Sequence, residues 1–434
     1  MNLLFIAAAG AGPAPPVWMV IPFALLLLCI AIGPLAFPHW WERRYAWVSV
    51  GLGAIGACSY LIVLRNPAPL LHVAEEYAGF IALVGSLFVV AGGIHVRVVG
   101  EAKPWVNSLF LVLGAIVSNV IGTTGASMLL IRPWIRMNRY RITSFHVVFF
   151  IFIVSNVGGC LTPIGDPPLF LGYLKGVPFW WVIQNCWKAW LLAVLGLTGI
   201  FYVLDRRNFM RCPQDVRERE TASEQWRFDG LHNLVFIAVI LGAVFMPPGW
   251  REGVMVAAGL ASWFTTSRAL HEANDFNLHP IIEVAWLFLG IFATMVPALQ
   301  ILETHAGELG LHSEMQFYWG TGVLSGLLDN APTYLAFLAT AFGLFGLDID
   351  QPEGMRRFIT EHDHLLVAIS LGAVFFGAMT YIGNGPNFMV RSIAIQQGVK
   401  TPGFLGYILR FSIPILLPFL ALIGILFFSR WRLF

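Results

Sequence analysis

The sequence predicts an all-α polytopic membrane protein made of two inverted repeats. About ten helices would cross the bilayer, joined by two re-entrant hairpins and two broken helices. Three observations predict this class. The 434 residues are 58% hydrophobic and 12% charged, which excludes an ordinary soluble domain. Apolar stretches long enough to span a bilayer recur along the whole chain. One short pattern occurs twice, TPIGDPPLF at 162–170 and TYIGNGPNF at 380–388, identical at five of nine positions and set in apolar surroundings each time. Gly and Pro interrupt a helix in both copies. Freed backbone groups are tolerated at membrane depth only where protein or a polar cavity satisfies them.

Membrane segments are expected at 17–37, 46–64, 78–96, 106–131, 145–172 and 178–204. A polar stretch follows, and 205–232 reads as a cytoplasmic linker. Further segments are expected at 233–249, 253–270, 280–302, 317–345, 364–395 and 404–429. Six segments on each side of a linker indicate duplication, giving a first repeat over 1–204 and a second over 233–434. The motifs stay in order, with Asn119 matching Asn330 and Thr162 matching Thr380. Met1 to Pro16 carry no positive charge, against a cleaved signal peptide. Five scattered cysteines show no metal-ligand spacing and read as small buried hydrophobes. The net charge of +2 gives no support to a nucleic-acid partner; the expected partner is the lipid bilayer.

Two segments are expected to enter and return. In 106–131 the pair Ser118-Asn119 leaves arms of about twelve residues, each reaching roughly 18 Å of a core about 30 Å thick. The segment 317–345 has the same design around Asp329-Asn330-Ala331-Pro332. Flanking charge supports hairpins. Basic residues flank the first on both sides, Arg97 and Lys103 before it and Arg132, Arg136, Arg139 and Arg141 after it. Mostly acidic residues flank the second, from Glu303 to Glu314 and from Asp348 to Asp363. Like-signed flanks of opposite sense are what two hairpins entering from opposite faces would carry. With that assignment most Lys and Arg become cytoplasmic and both termini external.

Four polar clusters then lie at membrane depth: 118–127, 155–168, 325–333 and 380–387. The candidate ion-binding residues are Asp166 and Asp329, with Ser118, Asn119, Ser155, Asn156, Thr162, Asn330, Thr333, Thr380, Asn384 and Asn387 as neutral ligands or hairpin supports. Carboxylates at this depth are costly and point to function. Burial favours the protonated acid and a bound cation favours the carboxylate, so one Asp can hold Na⁺ or H⁺ in turn. A Na⁺ site is expected at Asp166, Asp329, Asn156 and Asn384. The repeats are unequal there, since Asp166 is matched by Asn384 and Asp329 by the neighbourhood of Asn119. Glu75, Glu76 and Glu283 read as interfacial, Lys188 as snorkelling and Arg391 as a cytoplasmic anchor. No organic cofactor is expected, only Na⁺ and H⁺ as transported or coupling ions. An intramembrane aspartyl protease is disfavoured, because Pro163 stands where the presenilin-like pattern has Gly.

The motifs SNxxG, GGxxTPIGD, LLDNxP and GNxPN resemble the signatures of the ion transporter superfamily across both halves. TPIGD with LLDNAP is most similar to NhaD-type sodium/proton antiporters and to related citrate transporters. The resemblance implies a secondary transporter, not an enzyme, with a scaffold, a mobile group carrying hairpins and broken helices, and elevator-like movement. It also implies a homodimer, in the inner membrane of a bacterium. Carboxylate carriers of this group typically have Thr where this chain has Asp166, which favours sodium/proton antiport. GNGPN at 383–387 looks closer to the citrate-type pattern. The alternatives are Na⁺- or H⁺-coupled symport of citrate or a related carboxylate and, more weakly, arsenite-type efflux.

Overall fold

Long apolar runs punctuated by Pro and Gly fold as helices that begin or stop at those residues. A computed structural model describes residues 15–99, 103–214 and 225–429. The expectations resting on 1–14, on 215–224 of the linker and on Arg430 and Arg432 lie outside the described residues. Up to residue 214 the chain forms α1 (Ile21–Ala36), α2 (Pro38–Leu64), α3 (Ala68–Gly92), strand β1 (His95–Val99), α4 (Pro104–Met137), α5 (Ser144–Ile153), α6 (Pro167–Leu174) and α7 (Trp181–Met210). After strand β2 (Gln225–Asp229) come α8 (Asn233–Ala243), α9 (Trp250–Thr265), α10 (Arg268–Ala273) and α11 (His279–Thr304). The chain continues through α12 (Glu314–Leu327), α13 (Asn330–Leu344), α14 (Pro352–Glu361), α15 (Asp363–Phe376) and α16 (Gly385–Gln396). The last helix, α17 (Phe404–Phe428), contains a π-helical stretch at Ile408–Leu416. Proline stands at the first or second position of α1 to α4, α6, α11, α14 and α16, where its missing N–H costs nothing.

Both hairpins are formed. The hydrogen-bonded run of α4 passes through Gly122 at φ 77°, ψ 156°, and the helix doubles back there. Phe110 and Trp134 have ring centroids 5.4 Å apart, whereas 24 residues of straight helix would separate them by about 36 Å. In the second hairpin the chain turns between α12 and α13, and Phe317 meets Phe337 at 6.3 Å. Both broken helices are formed as well, α5 and α6 around 154–166 and α15 and α16 around 377–384. From Val147 to Val154 no side chain has exposed surface, so α5, apolar all round, lies at the centre of the fold.

Seven helices among the described residues are long and apolar enough to cross a membrane, or eight if Pro352–Glu361 and Asp363–Met379 count as one bent span. Geometry leaves six of these eight. The run Pro104–Met137 is the hairpin just described. The helix α14 meets its partner at 95° and exposes Glu353, Arg356, Arg357 and Glu361 while burying Met355 and Phe358, the pattern of a helix lying along an interface. The expected crossings at 233–249 and 253–270 come out shorter. With 11 and 16 residues, α8 and α9 reach only about 16 and 24 Å, because Pro247-Pro248-Gly249 stops the first of them.

A second difference is a small β-ribbon. β1 pairs antiparallel with β2, with His95 opposite Asp229 and Val99 opposite Gln225. The sequence reading placed 95–96 in a membrane helix and 225–229 in the linker. β-branched Val96, Val98 and Val99 and the aromatics Trp226 and Phe228 favour the extended form instead.

The helices pack in two groups. α1, α2, α3, α8, α9 and α11 form one; α4 to α7, α12, α13, α15 and α16 form the other, which carries every break. They meet where α3 lies against α4 and α6, and where α11 lies against α13.

Candidate functional site

Four interruptions converge on one carboxylate. Asp166 is the N-cap residue of α6 and is 1% exposed. Its Oδ1 accepts from Thr123 Oγ1 at 2.7 Å and from Asn384 Nδ2 at 2.9 Å, and its Oδ2 accepts from Asn330 Nδ2 at 2.6 Å. Thr123 is at the tip of the first hairpin, Asn330 at the tip of the second, and Asn384 in the second broken helix. All three donors are neutral, and no cationic side chain pairs with Asp166 among the described residues.

Each break is closed locally before it contributes. Asn119 Nδ2 donates to Gly158 O at 2.6 Å, and Leu161 N donates back to Asn119 Oδ1 at 2.8 Å. Thr162 Oγ1 donates to Asn119 O at 2.6 Å, and Thr123 N donates to Gly165 O at 2.8 Å. A Cβ on Gly165 would stand 2.1 Å from Gly159 O, so the two strands of this break approach only because both are glycines. In the second break Asn387 Nδ2 donates to Gly377 O at 2.8 Å and to Thr380 O at 2.9 Å. Thr380 Oγ1 accepts from Ile382 N and Gly383 N, both at 3.1 Å. The breaks are tied together by Asn156, whose Nδ2 donates to Asn387 Oδ1 at 2.7 Å, and by Asn384 Nδ2, which donates to Ser155 O at 3.1 Å.

The expected residues therefore divide. Asp166, Asn330 and Asn384 meet directly; Asn387 reaches Asn384 O through its backbone N–H at 3.1 Å, and Asn156 joins through Asn387. Ser118 donates to Val154 O at 2.7 Å and Ser155 shares a hydrogen bond with Ser127, so both hold helix contacts. Thr333 donates to Asp329 O within its own helix. Asp329 is half-buried and caps α13, accepting from Ala331 N at 2.9 Å. It shares no hydrogen bond with Asp166.

The amide oxygens of Asn156 and Asn330, both at most 1% exposed, have no hydrogen-bond partner. A cavity of about 30 Å³ opens beside Asp166 and Thr123, walled by Leu83 and Leu87 of α3 and by Phe170. That is room for water-sized groups, against about 300–1,000 Å³ for an organic ligand site. The Asp166 carboxylate and the Thr123 hydroxyl line this cavity, and hard oxygens of that kind suit a small cation such as Na⁺.

A family model described as "Putative citrate transport" matches residues 13–428. The chain belongs to that family. It is also 25% identical over 346 residues to a "46 kDa membrane protein" of Mycobacterium leprae, covering 74% of this chain and 77% of that one. Membership and the apolar helices agree on an integral multi-pass membrane protein of a transport family. NhaD-type antiporters, which the motifs also resemble, are not singled out by the match.

In this citrate transport family member, three features escaped the sequence reading. Thr123 lay inside a cluster already noted, but which of its hydroxyls faced the acid depended on the turn at Gly122. Asp205 of α7 is fully buried with Arg141 and His146, and accepts from Asn107 Nδ2 at 2.8 Å, clamping the base of the first hairpin. Only the fold brings those residues together. Glu76 is a correction. It is 5% exposed and paired with Lys175 at 2.9 Å, because α3 packs against α6 instead of facing the interface. Lys188 is exposed and Arg391 stacks on Tyr381 at 4.9 Å.

Proposed function

We propose that this transporter exchanges Na⁺ or Li⁺ for H⁺, with Asp166 as the group that holds either ion. The observation that carries the reading is the buried, uncharged cradle around Asp166. Thr123, Asn330 and Asn384 hydrogen-bond the carboxylate, and a cation entering would displace them. Rotating the Asn amides turns an oxygen inward, so the same side chains serve both states. A proton on Asp166 needs no cation, and a bound cation leaves no place for the proton. Competition of that kind suffices for antiport once the site alternates between the two sides of the membrane. The two halves would act as inverted repeats, the group carrying the breaks moving against the other, in a homodimer in a bacterial inner membrane. Asp329 would set the local field and cap α13.

The small cavity supports a bare ion over a tricarboxylate. The family match favours a second reading, symport of citrate or a related carboxylate coupled to Na⁺ or H⁺. Purified protein in proteoliposomes, assayed in parallel with Na⁺, Li⁺, K⁺ and citrate, separates the two. Antiport predicts proton release on adding Na⁺ and no gradient-driven uptake of labelled citrate. Citrate accumulation driven by a Na⁺ gradient would establish the second reading instead.

A further inference from the structure

One face of α3 follows the whole length of the helix that Asp166 caps. Glu76, Phe80, Leu83 and Leu87 are spaced by three or four residues and lie on one side of α3. Leu83 and Leu87 wall the cavity at Asp166, where α6 begins. Phe80 meets Phe170, in the middle of α6, at 6.5 Å. Glu76 Oε1 forms an ion pair with Lys175 Nζ at 2.9 Å, where α6 ends. The two helices thus run antiparallel, with the ion site at one end of the contact and a buried ion pair at the other.

Lys175 is the C-cap residue of α6, and its side chain is 2% exposed. Its second partner, Asp350 at 2.6 Å, follows α13, the helix that packs against α6. Glu76 is its tie to α3. One turn earlier on α3, His72 Nε2 stands 3.3 Å from the same Glu76 oxygen, with a side chain 48% exposed. Both ends of the exchange are therefore provided. If α6 withdraws with Asp350, Lys175 keeps that partner and Glu76 keeps His72 beside it, so each retains a polar partner. A buried pair broken without such substitutes is strongly destabilising.

We infer that Glu76–Lys175 is a latch holding the α6 group against α3, and that Asp166 moves only when it opens. The inference rests on the transport reading insofar as it assumes that α6 moves relative to α3. Because α6 is a rigid run of eight residues, a shift at Asp166 is transmitted to Lys175 without loss.

The test is hydrogen–deuterium exchange on the full-length protein in lipid nanodiscs. Lys175→Met, Glu76→Gln, the double variant and the reversed pair Lys175→Glu/Glu76→Lys are compared with the parent. The double variant has no unpaired buried charge and guards against simple misfolding. Lys175→Met and the double variant should raise exchange of the segments 121–126 and 163–170 about tenfold, the signature of a shifted two-state equilibrium. Exchange in α5 and α15, buried away from this boundary, should stay unchanged. The reversed pair should return exchange towards the parent. Unchanged exchange at 121–126 and 163–170, or an equal rise in α5, overturns the latch. Ion flux is scored separately on the parent. Absent Na⁺/H⁺ exchange there refutes the antiport reading while leaving the exchange result to decide the latch.

Discussion

Asp166→Asn separates folding from transport. Asp166 is 1% exposed and accepts from Thr123, Asn384 and Asn330. An amide in its place keeps one oxygen for Thr123 and Asn384, and turns an N–H₂ towards Asn330. Asn330 has an unpartnered Oδ1 that can rotate to accept it. The structural cost is therefore one rearranged hydrogen bond, about 1 kcal/mol, and the melting temperature should fall by no more than about 3 °C. The ion loses far more. A carboxylate about 2.4 Å from a monovalent cation, at an effective dielectric of about 20, contributes roughly 7 kcal/mol. If the amide dipole recovers half of that, the remaining 3.5 kcal/mol or so is a loss of roughly 300-fold in affinity. The amide also has no proton to exchange. Proteoliposomes with an internal pH dye, challenged with Na⁺, should show no proton release from Asp166→Asn and normal release from the parent. Full exchange by a well-folded Asp166→Asn protein would refute the assignment of Asp166 as carrier.

Thr123→Val removes the hydroxyl donor at 2.7 Å and should weaken apparent Na⁺ affinity about tenfold, with Thr123→Ser restoring it in the same flux assay. Gly122→Ala puts a Cβ on a backbone at φ 77°, ψ 156°, a region almost reserved for glycine that costs about 1–3 kcal/mol otherwise. Displacement of the neighbouring Thr123 should lower transport more than it lowers the melting temperature. Asp205→Ala removes the buried carboxylate that Arg141, His146 and Asn107 share and should cost about 3–5 kcal/mol by thermal unfolding in detergent. The double variant Asp205→Leu/Arg141→Met should recover part of that loss, and no recovery would show that burial of the pair is not the cause.

What the sequence could reveal depended on distance along the chain. The breaks at 162–166 and 380–384 were legible because Gly and Pro interrupt apolar runs, and the hairpins because each arm is too short to cross. Asp166, Asn330 and Asn384 were singled out because polar groups at membrane depth need a reason. Thr123 could not be separated from Thr124 without the turn at Gly122, which decides which hydroxyl faces the acid. Glu76 looked interfacial because the residues beside it gave no hint that α6 would bring a lysine to it. Asp205, Arg141 and His146 are separated by up to 64 residues, and no local pattern announces that they meet. The β-ribbon was missed for the opposite reason, since five residues of alternating pattern are too few to stand out beside long apolar runs.

Asp166 takes one hydrogen bond from its own half of the chain and two from the other, Asn330 and Asn384. Neither half can evolve alone under that arrangement. A substitution at Asn330 or Asn384 in the second half is felt at an acid in the first. A chain cut between 214 and 225 would yield two fragments that are each membrane-soluble yet chemically incomplete. Their activity would return only when both are made in the same cell.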